Sequence, residues 1–135
     1  MKPILLSFLL TSSLFAADVA SVTKQELPSL LTLYKELHVN PELSLHEVET
    51  AARIAKELRE AGLEVTEKVG GNGLVGVLKN GDGPVILVRT DLDGLPVKEQ
   101  TGAPYASTKV VKDDLGREVN VMHACGHDIH MASFI

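Results

Sequence analysis

Nine consecutive residues, MHACGHDIH at 122–130, hold three of the five histidines, the single cysteine and an aspartate. Thiolate, imidazole and carboxylate are the donors that zinc and similar divalent ions take from proteins. In an extended segment, side chains two residues apart lie on one side. Cys125 and His127 are therefore expected to reach one metal centre together. Gly126 between them has no side chain and lets the backbone bend close to an ion. A bound cation also keeps Cys125 as thiolate, below the free-thiol pKa of about 8.5. The plainer alternative is a buried free cysteine among incidental histidines, and the density of donors weighs against it. A zinc finger or a thioredoxin-type redox site needs a second cysteine, which the sequence lacks.

A second segment, RTDLDGLP at 89–96, follows an apolar run. In open α/β sheets, ligand sites lie beyond the carboxyl ends of the strands, which places Asp91 and Asp93 at such an end. An aspartate beside a metal-binding histidine can fix the orientation and basicity of the imidazole. Asp, Gly and Pro are equally common turn formers, so this segment alone leaves site and turn open.

The elements that must carry these residues can be read from periodicity. Leu27, Leu30, Leu31, Tyr34, Leu37 and His38 fall on one helical face, with Pro28 in the first turn and Asn40-Pro41 as the stop. A second helix is expected from Ser44 as cap with Glu47 completing a capping box, and Leu43 and Val48 as a staple. Its inward stripe is Val48, Ala51, Ile54, Ala55 and Leu58, and Gly62 suits its end. Leu63–Val69 and Leu74–Leu78 read as strands. The turn signal Asn80-Gly81-Asp82-Gly83 predicts a hairpin between Leu74–Leu78 and Val85–Val88. Val85–Val88 is apolar throughout, as in a strand buried on both faces of a sheet. Residues 98–120 are polar, with a turn at Asp113–Gly116, and a last helix begins near Met131. The order predicts an α/β layered domain: a central β-sheet flanked by helices.

With 135 residues, 44% of them hydrophobic, the chain can build one modest core. The net charge of −5, without a basic stripe, argues against a nucleic-acid partner. Residues 1–17 read as a secretory signal peptide: Lys2, then an apolar stretch from Ile4 to Phe15, then Ala16 and Ala17. Leu14 departs from the small residue expected before the cut. The apolar run is too short for a stable membrane span, which needs roughly 20 residues. Export, periplasmic or secreted, is the expected localisation.

Three blocks, LHVNPELSLHEVET at 37–50, VRTDLDGLPVKEQTGAPYAS at 88–107 and VMHACGHDIHMA at 121–132, resemble the aminoacylase-like metallopeptidase superfamily. The nearest branch contains hippurate hydrolases, N-acyl-amino-acid amidohydrolases and plant hydrolases of auxin–amino-acid conjugates. The resemblance implies a three-layer, zinc-exopeptidase-like catalytic domain, with Cys125 and His127 as metal ligands and Asp91 as a catalytic, buried acid near the metal. Cys125 looks like the stand-in for a bridging aspartate of other branches. Arg89 stands where those branches carry a ligand histidine, so it is not counted as one. His123 and His130 are left as packing or supporting residues.

The implied reaction is hydrolysis of the amide bond of N-acyl amino acids, such as hippurate-like or acetyl-amino-acid substrates. It uses one or two divalent ions per subunit (zinc or manganese, with nickel or cobalt tolerated) and a glutamate general base. Residues 18–135 are then expected to be the N-terminal part of the catalytic domain. The base, the remaining ligands and an inserted domain often used for homodimerisation would lie beyond it, and the 135 residues alone would be inactive. The rivals are a carboxypeptidase or dipeptidase of the same superfamily, and an exported, non-catalytic metal-binding module.

Overall fold

The computed structural model describes residues 18–135; the signal expected at 1–17 lies outside the described residues. Helix α1 runs from Val19 to Val39 and α2 from Val48 to Glu60. Strand β1, Glu64–Val69, pairs antiparallel with β2, Gly73–Val77. Strand β3, Val110–Lys112, pairs antiparallel with β4, Glu118–Asn120, and α3 covers His127–Phe134. The chain is thus a mixed α/β unit. Its core joins Leu33 and Leu37 of α1, Ile54 and Leu58 of α2, and Met131 and Ala132 of α3. Leu63, Val65, Leu74 and Leu92 pack against that core.

Helix α1 begins earlier than its apolar stripe. Residues from Val19 to Ser29 are exposed, and Pro28 lies inside the helix rather than in its first turn. The Thr32 hydroxyl donates to the Pro28 carbonyl at 2.9 Å. Burial starts with Leu33, while Leu27 and Leu31, expected inward, face solvent. The stripe ends on His38, which is buried.

Helix α2 buries Ala51, Ile54, Ala55 and Leu58 as its spacing predicts, but Val48 is exposed. Its start differs from the expected capping box. No side chain caps it at Glu47; instead the Glu42 carboxylate accepts from the amides of Thr50 at 2.8 Å and Glu49 at 3.3 Å. A carboxylate from outside the helix satisfies two of the first-turn donors and sits at the positive end of the dipole. At the other end Gly62, at φ +88°, ends the helix, and the Leu63 amide returns to the Leu58 carbonyl at 3.0 Å.

The hairpin lies one turn earlier than the Asn80–Gly83 signal suggested. Gly70 and Gly71 adopt positive φ, and the turn they make joins β1 to β2. Val85–Val88 is not a buried central strand: no strand pairs with it among the described residues, and Val85 is 97% and Leu87 85% exposed. An apolar run becomes a strand only where a neighbour takes up its backbone donors and acceptors. Here Leu87, Val88 and Thr90 instead border a hollow of about 270 Å³ that β2, Ile54 and Phe134 line from the other side. Within 98–120, the Asp113 carboxylate accepts the amides of Leu115 at 3.0 Å and Arg117 at 2.9 Å, forming the turn between β3 and β4.

Candidate metal and active site

The three sequence blocks meet at Gly94. Its amide donates to the Glu42 carbonyl at 2.6 Å, and Leu95 and Met122 exchange backbone hydrogen bonds at 2.8 and 3.0 Å. A Cβ on Gly94 would lie 2.9 Å from the Pro41 Cβ, 3.0 Å from a Val121 methyl and 3.3 Å from the Met122 carbonyl oxygen. Only glycine lets these backbones approach so closely. This clamp fixes the carbonyl of the preceding residue, Asp93.

That one carbonyl oxygen receives two imidazoles. His127 donates to it through Nδ1 at 2.9 Å, and His123 through Nδ1 at 3.1 Å. The His127 Nδ1 also lies 3.0 Å from the Asp93 Oδ1. A histidine whose Nδ1 is engaged as a donor holds a lone pair on Nε2 when neutral, the form that binds metals. The His127 Nε2 lies 3.8 Å from the Asp91 Oδ2, and Asp91 accepts from the Arg89 guanidinium at 2.5 Å on its other oxygen. Asp91 is thus beside His127 as expected, but its side chain is 43% exposed rather than buried. Arg89 is exposed and paired with a carboxylate.

Cys125 is a free, exposed thiol. It does not sit on an extended strand, so alternation does not describe the Cys125–His127 pair. Cys125 lies in a turn, Gly126 adopts the left-handed conformation at φ +76°, and His127 opens α3. Gly126 therefore acts as the hinge from turn to helix, a backbone state that side chains with a Cβ rarely take. His130 is exposed one helical turn along, its ring 6.1 Å from that of His127.

The donors suit a divalent ion in kind: a thiol, an imidazole whose inner nitrogen is engaged by a carbonyl, and a carboxylate close to its outer nitrogen. They do not complete a shell. Among the described residues, no group of three or more His, Cys, Asp or Glu is arranged to hold a metal, whereas catalytic zinc normally takes three protein ligands.

Behind the site lies a buried network that spacing did not reveal. His38 Nδ1 is 2.6 Å from the Asp128 Oδ2, and its Nε2 is 3.0 Å from the Glu99 Oε1. The Glu99 side chain is fully buried, and its carboxylate also accepts the Ser107 amide at 2.5 Å and the Thr101 hydroxyl. Burial alone would lower the pKa of His38, but the bonds to Glu99 and Asp128 outweigh it and hold the imidazolium above its usual range. Burial alone would raise that of Glu99; Thr101, His38 and Ser107 together pull it down. Tyr34 and Tyr105 close round the His38 ring with centroids 5.7 and 5.4 Å away. Burial, with the Tyr105 hydrogen bond, pushes the Tyr34 hydroxyl to about 12. His123 is pushed the other way: it is 4% exposed, burial lowers its pKa, and its Nε2 has no partner among the described residues. The available signals were His38 at the end of an inward stripe and Asp128 inside the motif. Their pairing is a tertiary contact 90 residues apart in sequence.

Comparison with known proteins agrees with this architecture. Residues 87–135 match the model of peptidase family M20/M25/M40. The chain is 46% identical over 101 residues to a hippurate hydrolase from Campylobacter jejuni, covering 74% of this chain and 24% of that protein. It is 43% identical over 108 residues to an N-acetylcysteine deacetylase from Bacillus subtilis, covering 78% and 26%. A crystal structure of a dinuclear metal-binding peptidase of the M20 family from Bacillus subtilis superposes with a TM-score of 0.68 at 38% identity, over 82% of this chain and 29% of that one. The chain belongs to peptidase family M20 and has its α/β fold. It spans about a quarter of the length of the curated relatives it matches. No helix among the described residues is long and apolar enough to cross a membrane.

Proposed function

We propose that this chain is the N-terminal part of a metal-dependent amidohydrolase that cleaves the amide bond of N-acyl amino acids. The observation that carries the reading is the presentation of His127: its inner nitrogen is tied to the Asp93 carbonyl, its outer nitrogen faces Asp91, and Cys125 lies one glycine away. Cys125 and His127 are the metal ligands and Asp91 is the acid beside them. A divalent ion held there supplies Lewis acidity to the amide carbonyl and lowers the pKa of water. The thiolate and carboxylate offset the ion's charge, and the Asp93 carbonyl keeps His127 in the ligating tautomer. Water adds to the carbonyl carbon, the C–N bond breaks, and the products are a carboxylate and a free amino acid. The general-base glutamate and the remaining ligands belong to the three quarters of the relatives' length that this chain does not span.

Zinc suits a thiolate donor, and manganese, nickel or cobalt are the alternatives. The apolar run in 1–17 supports export, and the whole protein is proposed to form a homodimer. The similarity to a hippurate hydrolase and an N-acetylcysteine deacetylase favours acyl-amino-acid substrates over dipeptides.

The test is metal analysis and turnover of the full-length protein beside Cys125→Ser, on hippurate, acetyl-amino acids and dipeptides. The expected result is hydrolysis of the acylated substrates, lost on chelation, with sharply lower metal content and activity in the variant. Undiminished turnover after thorough chelation, or an unchanged metal stoichiometry in Cys125→Ser, would refute the assignment. A stable, metal-binding protein that cleaves none of the substrates would leave the non-catalytic module as the better reading.

A further inference from the structure

The first turn of α3 is held at two adjacent residues from two directions. His127 is tied to Asp93 on the site side, and Asp128 is tied to His38 on the core side. Successive residues of a helix point about 100° apart, from 3.6 residues per turn. Packing of Met131 and Ala132 in the core holds the body of α3, and two tethers at that angle fix the rotation of its first turn. The orientation of His127 relative to the turn that carries Cys125 thus depends on both.

The core tether is built to be stiff. His38 contacts carboxylates through both ring nitrogens, and an imidazole donates from both only as the cation. Asp128 and Glu99 are both buried, so one imidazolium serves two charges that lack water. Glu99 is anchored in turn by the Ser107 amide and the Thr101 hydroxyl. The path runs from the loop at 99–107, through the end of α1, to the residue that follows His127.

We propose that His38 is a positioning residue: through Asp128 it sets the rotation of the first turn of α3 and thereby the angle at which His127 Nε2 meets the metal. This rests on the assignment of Cys125 and His127 as ligands.

The experiment is cobalt titration of the full-length apoprotein, read by visible absorption. Cobalt reports a thiolate ligand through a charge-transfer band and the angles of its shell through the ligand-field bands. Asp128→Ala is the main variant, because it leaves the His38–Glu99 pair charge-balanced, and its fold is checked by circular dichroism before titration. It should retain the charge-transfer band, shift the ligand-field bands and weaken cobalt binding by about tenfold or more, as loss of outer-shell support does. Asp128→Asn, which keeps an oxygen acceptor for His38, should restore the wild-type bands. His38→Gln, which can bridge only one end of the network, should resemble Asp128→Ala. Folded Asp128→Ala and His38→Gln with wild-type bands and affinity, merely less stable, would overturn the positioning role. A wild type whose cobalt spectrum shows no Cys125-dependent band, judged against Cys125→Ser, would instead remove the ligand assignment and this inference with it.

Discussion

Replacing Gly94 with alanine tests whether the convergence of the three sequence blocks builds the site. The added Cβ would lie 2.9 Å from the Pro41 Cβ and 3.0 Å from a Val121 methyl, both closer than carbon atoms pack, and 3.3 Å from the Met122 carbonyl oxygen. None of these neighbours can swing away. Pro41 is a ring, Val121 is β-branched and 1% exposed, and the third atom is backbone. The strain must move the chain, and overpacking of this kind costs about 1–3 kcal/mol. The control is Gly83→Ala, where a Cβ meets nothing within 4 Å and the backbone is not left-handed. Urea unfolding of the full-length proteins provides the readout, with the midpoint compared at constant slope. We expect a lower midpoint for Gly94→Ala and a value close to wild type for Gly83→Ala. Equal midpoints for the two variants would show that the clamp around Asp93 is not close-packed, and the argument for a fixed His127 tautomer would fail with it.

Two further outcomes follow from the capping and the buried charges. Glu42→Ala should destabilise the protein by about 1 kcal/mol, the usual scale for a lost helix cap, while Ser44→Ala should leave the unfolding midpoint unchanged; the reverse ranking would restore the capping box. Metal-free protein should be most stable near pH 6.5. Above that value the raised pKa of His38, which faces Asp128, Glu99 and Tyr34, makes its contribution fade as pH rises through the folded value. Below 6.5 the lowered pKa of the buried His123 favours the unfolded chain, and below 4.5 the lowered pKa of Glu99 does the same. A urea midpoint that stayed level or rose on the alkaline side of 6.5 would contradict the His38 network.

Much of the candidate site's neighbourhood was legible because the possible donors are packed into a few residues. MHACGHDIH names its chemistry without reference to the rest of the fold, and the inward face of α2 follows from spacing alone. The misreadings share one cause. Ser44 is a good cap by type, but the amides of Glu49 and Thr50 are taken by Glu42, from a turn whose path is set by tertiary contacts. Val85–Val88 has the composition of a buried strand, yet no described strand lies beside it, and composition cannot supply a partner. The Cys125–His127 pair was expected to alternate along a strand, whereas Gly126 turns the chain into a helix between them. The acceptor that fixes His127 is a main-chain oxygen, which no residue type announces.

That oxygen gives the site an unusual pattern of tolerance. Deleting the Asp93 side chain would leave its carbonyl in place, so no point change at that position can abolish the group on which both rings depend. Vulnerability moves to whatever holds the peptide plane: the small residue beside it and the proline and valine that crowd it. Inherited or engineered damage to this centre should therefore map to inert packing residues as well as to the acidic one, whose carboxylate also lies 3.0 Å from the His127 Nδ1.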